Sequence, residues 1–82
     1  MLHIKVVGTG CPTCQRLERM CREVTEENQF NATIEKVTDL NRFADLGIFM
    51  TPGLIINDEV VSSGKMPDRN TLKNWMEKRN HP

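Results

Sequence analysis

Residues 8 to 14, Gly-Thr-Gly-Cys-Pro-Thr-Cys, constrain this chain more than any other stretch. They follow a run rich in β-branched residues, Leu2 to Val7, which predicts a strand, and they precede a segment with helical periodicity. Cys11 is therefore predicted to be the N-cap of a helix with Pro12 at its first position, where proline loses no hydrogen bond and its fixed φ is already helical. The sequence thus places two cysteines at a strand-to-helix junction.

The two-residue spacing between Cys11 and Cys14 predicts a reversible dithiol. The backbone N–H groups of Thr13 and Cys14 have no partner in the first helical turn, so they can point at the Cys11 sulfur. These donors and the positive end of the helix dipole stabilise a thiolate, and known motifs of this kind lower a thiol pKa from ~8.5 to between ~3.5 and ~7.5. Cys14 lies one turn further on, close enough for a disulfide that opens and closes with little backbone movement.

Length and composition predict one small domain over residues 1–82. Eleven basic residues balance eleven acidic ones, so we expect no nucleic-acid or membrane partner. The chain enters a strand at once, without a basic segment followed by a long apolar run, so we expect no signal peptide and no transmembrane span. The expected protein is cytoplasmic and monomeric.

The rest of the chain predicts the order βαβαββα. After the first strand, the predicted elements are a helix from Pro12 to about Asn28, a polar edge strand over Ala32–Val37, a short helix from Thr38 or Asp39 to Leu46, an apolar strand opening at Pro52 and ending at Ile56, a returning strand over Val60–Ser62, and a helix from Asp68 to about Lys78. The strand-helix-strand start implies a right-handed crossover and parallel pairing.

Helical spacing also predicts which side chains are buried. The first helix should bury Cys14, Leu17, Cys21 and Val24, the second Leu40, Phe43 and Ala44, and the third Leu72, Trp75 and Met76. On the solvated side of the first helix, Glu18 and Arg22 are expected to pair at a spacing of four residues.

The third cysteine is predicted to be structural. Cys21 lies two turns after Cys14 on the buried face, where a free cysteine packs as a small hydrophobe. A third metal ligand or a second disulfide partner for Cys14 are the alternatives that stay open. Neither His3 nor His81 is predicted to be a ligand.

With this order and these motifs, the chain resembles thioredoxin-fold proteins of the small, glutaredoxin-sized kind often called redox-active disulfide proteins. The resemblance covers nearly the whole chain and rests on the dithiol motif together with Thr51-Pro52 at the start of the third strand. It implies an α/β thioredoxin-like fold, with a four-stranded mixed sheet of order 2-1-3-4 flanked by three helices. It also implies that Pro52 is a cis-proline facing the dithiol and that the main chain of Thr51 binds substrate, with Pro12 and Thr13 beside it.

The activity that this resemblance implies is the reduction of protein disulfides. Cys11, as a thiolate, attacks a substrate disulfide to form a mixed disulfide, and Cys14 then attacks Cys11 to release the reduced substrate. Such a protein needs no bound cofactor and is recharged by a flavin-type thioredoxin reductase or another dithiol protein. Thioredoxins carry a buried acid in the strand before the dithiol, whereas residues 1–10 contain no Asp or Glu to take the proton of Cys14. Gly64 stands alone where glutaredoxins carry Gly-Gly, so the likeness to glutaredoxins does not extend to a glutathione site.

Two other functions stay open at this point. A strand-loop-CxxC-helix start also resembles heavy-metal-associated domains, and thiolates favour Cu(I) and Zn(II), so the chain can be a metal carrier. Those domains, however, have the order βαββαβ and a methionine where Thr9 stands, and the chain has no second CxxC or His pair to complete a structural zinc site. The third function is a thioredoxin-fold adaptor whose dithiol is not catalytic.

Overall fold

The computed structural model describes residues 1–80, so the prediction for His81 lies outside the described residues. Within that range the chain has the predicted order βαβαββα. The elements are β1 (Leu2–Val7), α1 (Pro12–Glu27), β2 (Ala32–Val37), α2 (Leu40–Phe43), β3 (Gly53–Ile56), β4 (Glu59–Ser63) and α3 (Arg69–Arg79).

The four strands form one mixed sheet in the order β2-β1-β3-β4, as predicted. β1 pairs with β2 in parallel and with β3 in antiparallel orientation, and β3 pairs with β4 in antiparallel orientation. The β3–β4 hairpin turns at Asn57 and Asp58, whose φ angles of 52° and 66° are those of a tight turn that matches the twist of the strands. β2 is an edge strand, which agrees with its polar sequence.

Side chains alternate across β1, so the sheet has an apolar core on each face. On the larger side, Leu2, Ile4 and Val6 pack against the buried residues of α1 and α3. On the smaller side, Val7 and Ile55 pack against Val37, Phe43 and Ile48. α1 packs on the larger core. Only the short loop of residues 8–11 separates it from β1, so the N-terminus of α1 lies at the carboxyl end of that strand.

The second helix is shorter than predicted. Asp39 is its N-cap, and the carboxylate of Asp39 accepts a hydrogen bond from the N–H of Asn41 at 2.9 Å. The helix ends at Phe43 rather than at Leu46, and turns follow as far as Gly47, whose φ is 80°. The segment is a single helical turn with an irregular exit.

Two of the side chains predicted to face inward from this segment are exposed. Leu40 is 67% exposed and Ala44 is also exposed, so these two predictions are wrong. Four helical residues make barely more than one turn, and a turn that short directs only one side chain, Phe43, at the core. Ile48, which the periodicity did not single out, fills the remaining space on this side of the sheet.

The third helix begins after Asp68, whose carboxylate caps it by accepting the N–H of Thr71 at 2.7 Å. Leu72 and Met76 are fully buried as predicted, whereas Trp75 is partly buried and packs on the edge of the larger core. Within residues 1–80, no helix combines the length and the apolar character needed to cross a membrane.

Candidate functional site

The two cysteines meet at the junction of β1 and α1. Cys11 is the N-cap of α1, with an extended backbone (φ −66°, ψ 162°), and Pro12 opens the helix. The backbone N–H of Cys14 donates a hydrogen bond to the Cys11 Sγ at 3.3 Å, as predicted, and the two sulfur atoms lie 2.6 Å apart. Both residues are free thiols, in positions from which little movement would join them.

The two thiols lie in different environments, and their pKa values shift in opposite directions. Cys11 is partly exposed, and its pKa is lowered by the hydrogen bond from the Cys14 side chain and then by the backbone N–H of Cys14. Cys14 is only 5% exposed, and its pKa is raised by burial first and then by its hydrogen bond to Cys11. Cys11 is therefore the thiol that ionises first.

Two glycines shape the loop before the first cysteine. A side chain at Gly8 would overlap the Sγ of Cys14, so only glycine leaves room for the buried thiol. Gly10 has a φ of 85°, a conformation that favours glycine, and its carbonyl accepts a hydrogen bond from the Gln15 side chain at 3.1 Å. The role of Gly8 was missed by sequence reasoning, although a glycine at the end of an apolar strand is the feature that indicates such close packing.

The segment before β3 lies against the same junction. The Thr51–Pro52 peptide bond is cis, which confirms that prediction. Pro52 is buried and its carbonyl accepts the N–H of Gly64 at 2.9 Å, whereas Thr51 is exposed. A Cβ built on Gly8 would lie 3.9 Å from the Thr51 Cβ, so Thr51 flanks the same glycine as Cys14.

Thr51 is also distinguished by its peptide groups. In the part of the chain that the structure describes, its N–H and C=O take part in none of the backbone hydrogen bonds. Phe49 and Met50, just before it, are 82% and 64% exposed. Sequence reasoning did not single out these two apolar residues, although their position beside the Thr-Pro pair could have drawn attention to them.

The remaining predicted site residues lie at the start of α1. Pro12 is exposed and Thr13 is half-buried, so both border the dithiol on its helix side. The structure thus places the six predicted residues on two neighbouring segments, the start of α1 and the turn before β3. Their individual roles in catalysis or binding stay predictions.

Cys21 is separate from this site. Its side chain is fully buried in the larger core, and burial raises its pKa to about 12. Among residues 1–80 there is no group of three or more His, Cys, Asp or Glu side chains that could hold a metal ion.

Comparison with known proteins identifies the family. The profile of the thioredoxin domain matches residues 2–77. A thioredoxin of Methanocaldococcus jannaschii is 37% identical over 81 residues, which span 94% of this chain and 93% of the relative. A thioredoxin of Methanothermobacter thermautotrophicus is 32% identical over 73 residues, which span 89% and 95%.

Among solved structures, the germline-specific thioredoxin Deadhead of Drosophila melanogaster superposes with a TM-score of 0.62. It is 19% identical, and the match covers 94% of this chain and 79% of that one, so it supports the fold alone. The family profile and the two archaeal relatives carry the assignment further, because they extend over nearly the whole chain and include the dithiol segment. This chain belongs to the thioredoxin domain family.

Proposed function

We propose that this protein is a thiol-disulfide oxidoreductase that reduces protein disulfides with the Cys11–Cys14 pair. The observation that carries the proposal is the pair itself: two free sulfurs 2.6 Å apart at a helix N-terminus, one partly exposed with a lowered pKa and one buried with a raised pKa. This asymmetry makes Cys11 the nucleophile that attacks the substrate and Cys14 the thiol that reacts in the second step. The thioredoxin relatives make the same activity the expected one.

The proposed reaction has two exchange steps. The Cys11 thiolate attacks one sulfur of a substrate disulfide, the substrate S–S bond breaks, and its other sulfur leaves as a thiolate. Cys14 then loses its proton and attacks the Cys11 sulfur, so that the mixed disulfide breaks and the second substrate thiolate leaves. The substrate gains two electrons, and the protein is left with a Cys11–Cys14 disulfide.

The segment before β3 is the proposed substrate contact. The peptide N–H and C=O of Thr51 are free in the described part of the chain, and they can pair with an extended substrate segment as a strand edge does. Pro52 holds that peptide group beside the dithiol, and Pro12 and Thr13 border the substrate on the helix side. Recognition would thus depend on main-chain hydrogen bonds next to the reacting sulfur.

The proposal also covers partners and location. The cycle needs a reductant for the Cys11–Cys14 disulfide, which we propose to be a flavin-type thioredoxin reductase or another dithiol protein, and it needs no bound cofactor. We propose a cytoplasmic location, where a reducing environment keeps such a dithiol in use. Equal numbers of acidic and basic residues fit local recognition of protein substrates rather than attraction to a charged surface.

Trapping of the mixed disulfide tests the proposal. The Cys14→Ser variant keeps the nucleophile but cannot release the substrate, so with a disulfide-containing protein such as insulin it should accumulate a covalent complex through Cys11. Peptide mass spectrometry would locate the linkage, and dithiothreitol would reduce this mixed disulfide and release the substrate. The Cys11→Ser variant is the matched control and should form no complex. A complex that forms through Cys21, or none with either variant, would contradict the proposal.

A further inference from the structure

A small cavity of about 90 Å³ opens beside the buried thiol, between α1 and β2. Val6 and Gly8 of β1 and its exit line one side, Cys14 and Glu18 of α1 another, and Lys36 of β2 and Thr38 a third. A cavity of this size holds a few water molecules, provided that polar groups bind them. The thiol, the carboxylate, the ammonium and the hydroxyl in the lining supply such groups.

Glu18 is the one carboxylate in this lining, and it is held firmly. It lies four residues after Cys14 on α1, a spacing that puts the two Cβ atoms about 5–6 Å apart on one helix face. Its side chain is only 14% exposed, and its Oε2 accepts both hydrogen bonds from Arg22, at 2.9 and 3.2 Å. Lys36 Nζ lies 3.1 Å from its other oxygen.

We propose that Glu18 accepts the proton of Cys14, through water in this cavity, as Cys14 attacks the mixed disulfide. The inference rests on the proposed function and supplies the proton acceptor that residues 1–10 lack. The Cys14 S–H bond breaks and its electron pair forms the Cys11–Cys14 bond. The bond from Cys11 to the substrate sulfur breaks, the substrate leaves as a thiolate, and Glu18 passes the proton to solvent.

The surrounding groups fit this role. Lys36 from β2 and Arg22 from α1 are the cations that face Glu18, and they let a carboxylate coexist with a forming thiolate. The hydrogen bond from Arg22 is the largest cause that lowers the pKa of Glu18, so its carboxylate is ionised near neutral pH, as a proton acceptor must be. The same lowering makes it a weaker base, so the expected effect of its removal is modest. β1 and the residue that follows it contribute Val6 and Gly8 to the lining, and neither carries a charge.

Cys21 is the other thiol near Glu18, and it does not compete for this role. Burial, and then the charge of Glu18, raise its pKa to about 12, so it stays protonated. The cavity lining does not include it. Cys14 is the cysteine that lines the cavity together with Glu18.

Two exchange steps can be separated by rapid mixing. The reduced protein is mixed with a stoichiometric amount of the aromatic disulfide dithiobis(2-nitrobenzoate), and the release of coloured thiolate is followed. Attack by Cys11 releases the first coloured thiolate, and attack by Cys14 releases the second. General-base catalysis is worth ~10²–10⁴-fold where the base acts directly, so for a water-relayed acceptor we expect Glu18→Gln to slow the second phase by about tenfold at pH 7. The first phase should be unchanged. Glu26→Gln, an exposed carboxylate on the same helix outside the cavity lining, is the matched control and should leave both phases unchanged.

The opposite result would overturn the inference. If Glu18 acted only through its negative charge, its removal would make the Cys14 thiolate easier to form and would speed the second phase; a second phase that is faster or unchanged in Glu18→Gln contradicts proton acceptance. Lys36→Gln gives an independent test should Glu18→Gln fail to fold. Loss of this cation raises the Glu18 pKa, so the acid limb of the second-phase pH profile should move to higher pH, and an unmoved limb would contradict the inference.

Failure of the proposed function gives a different result from failure of this inference. A wild-type protein that releases only one coloured thiolate, or none, has no exchange between Cys11 and Cys14. A wild-type protein that releases both, with an unaffected Glu18→Gln variant, keeps the proposed function and loses only the proton route.

Discussion

The backbone of Gly8 lies directly against the Sγ of Cys14, so closely that a Cβ on residue 8 would overlap the sulfur. This contact joins the end of β1 to the first turn of α1. It leaves Cys14 in a pocket bounded by the main chain, with its sulfur aimed at Cys11. The position of the buried thiol is thus set by a residue that has no side chain.

Gly8→Ala should therefore displace Cys14. We expect a loss of about 1–3 kcal/mol in the free energy of unfolding, typical of an overpacked site, and a slower closure of the Cys11–Cys14 disulfide. Gly10→Ala is the control, because no atom lies within 4 Å of its added Cβ and its φ of 85° costs stability without moving Cys14. Denaturant unfolding and stopped-flow thiol exchange measure the two effects. Equal rates of disulfide closure in the two variants would contradict the contact.

The reactivity of Cys11 should persist below the ordinary thiol pKa. The thiolate is the nucleophile, so the rate of alkylation by iodoacetamide rises as the pH passes the pKa; for Cys11 the midpoint should lie below ~8.5. The largest cause is the hydrogen bond from the Cys14 side chain, so Cys14→Ala should move this midpoint to higher pH. Cys14→Ser keeps a donor and should move it less. A midpoint that is the same in all three proteins would show that the second thiol does not stabilise the thiolate.

Burial of Cys21 should make stability depend on pH. The pKa of Cys21 is about 12 in the folded state and ~8.5 in the unfolded state. The contribution of its burial to the free energy of unfolding is therefore fully present below pH ~8.5 and is lost as the pH rises towards 12. By pH 10 the loss is about 2 kcal/mol.

Comparison with Cys21→Ala isolates this contribution from other titrating groups. At pH 7 the variant should be less stable by about 1 kcal/mol, because a small cavity replaces the sulfur. Between pH 7 and pH 10 the difference in the free energy of unfolding should shift by about 2 kcal/mol in favour of the variant. Denaturant unfolding of the reduced proteins at both values measures it, and a constant difference would mean that Cys21 ionises freely.

The exposed apolar pair before Thr51 should contribute to binding of protein substrates. Phe49 and Met50 are largely exposed, and covering part of each by a substrate would be worth about 1–2 kcal/mol. We expect the double variant Phe49→Ser, Met50→Ser to raise KM for a protein disulfide about tenfold and to leave exchange with a small aromatic disulfide unchanged. Leu40→Ser, at a similarly exposed apolar residue of α2, should leave both unchanged. An equal loss with both substrates would place the pair in the chemistry rather than in docking.

Local patterns in the sequence were sufficient to predict most of the fold. The β-branched run Leu2–Val7 and the Cys11-Pro12 cap predicted the bounds of β1 and the start of α1, because both depend on residues next to each other in the chain. The exposure of Leu40 was not predictable in the same way, since it depends on how soon α2 ends. That end is set by packing of Phe43 and Ile48 on the sheet, which a helical period does not describe.

In the candidate site, too, features that depend on neighbouring residues were predictable, whereas contacts between distant segments were not. The cysteine spacing and the Thr51-Pro52 pair are recognisable as motifs, and the resemblance that they carry predicted that they lie together. The structure places Cys14 and Thr51 beside the same residue, Gly8. The neighbourhood of Glu18 is different. Its spacing predicts the pair with Arg22, which the structure confirms, but the prediction that Glu18 lies on the solvated side of α1 is wrong, because its side chain is only 14% exposed. The sequence also gives no indication of Lys36, which approaches from another element, β2. Contacts of that kind depend on the register of β2 beside α1, and single-residue patterns do not encode it.

A redox titration of the purified protein tests the central claim most directly. Metal-free protein is equilibrated with dithiothreitol or glutathione buffers, free thiols are trapped and located by peptide mass spectrometry, and metal content is assayed on the protein as isolated. We expect reversible loss of two thiols, Cys11 and Cys14, at one midpoint, while Cys21 stays free. A pair that does not close reversibly, or protein that is isolated with a thiolate-bound metal that blocks oxidation, would contradict the account and would favour a metal carrier.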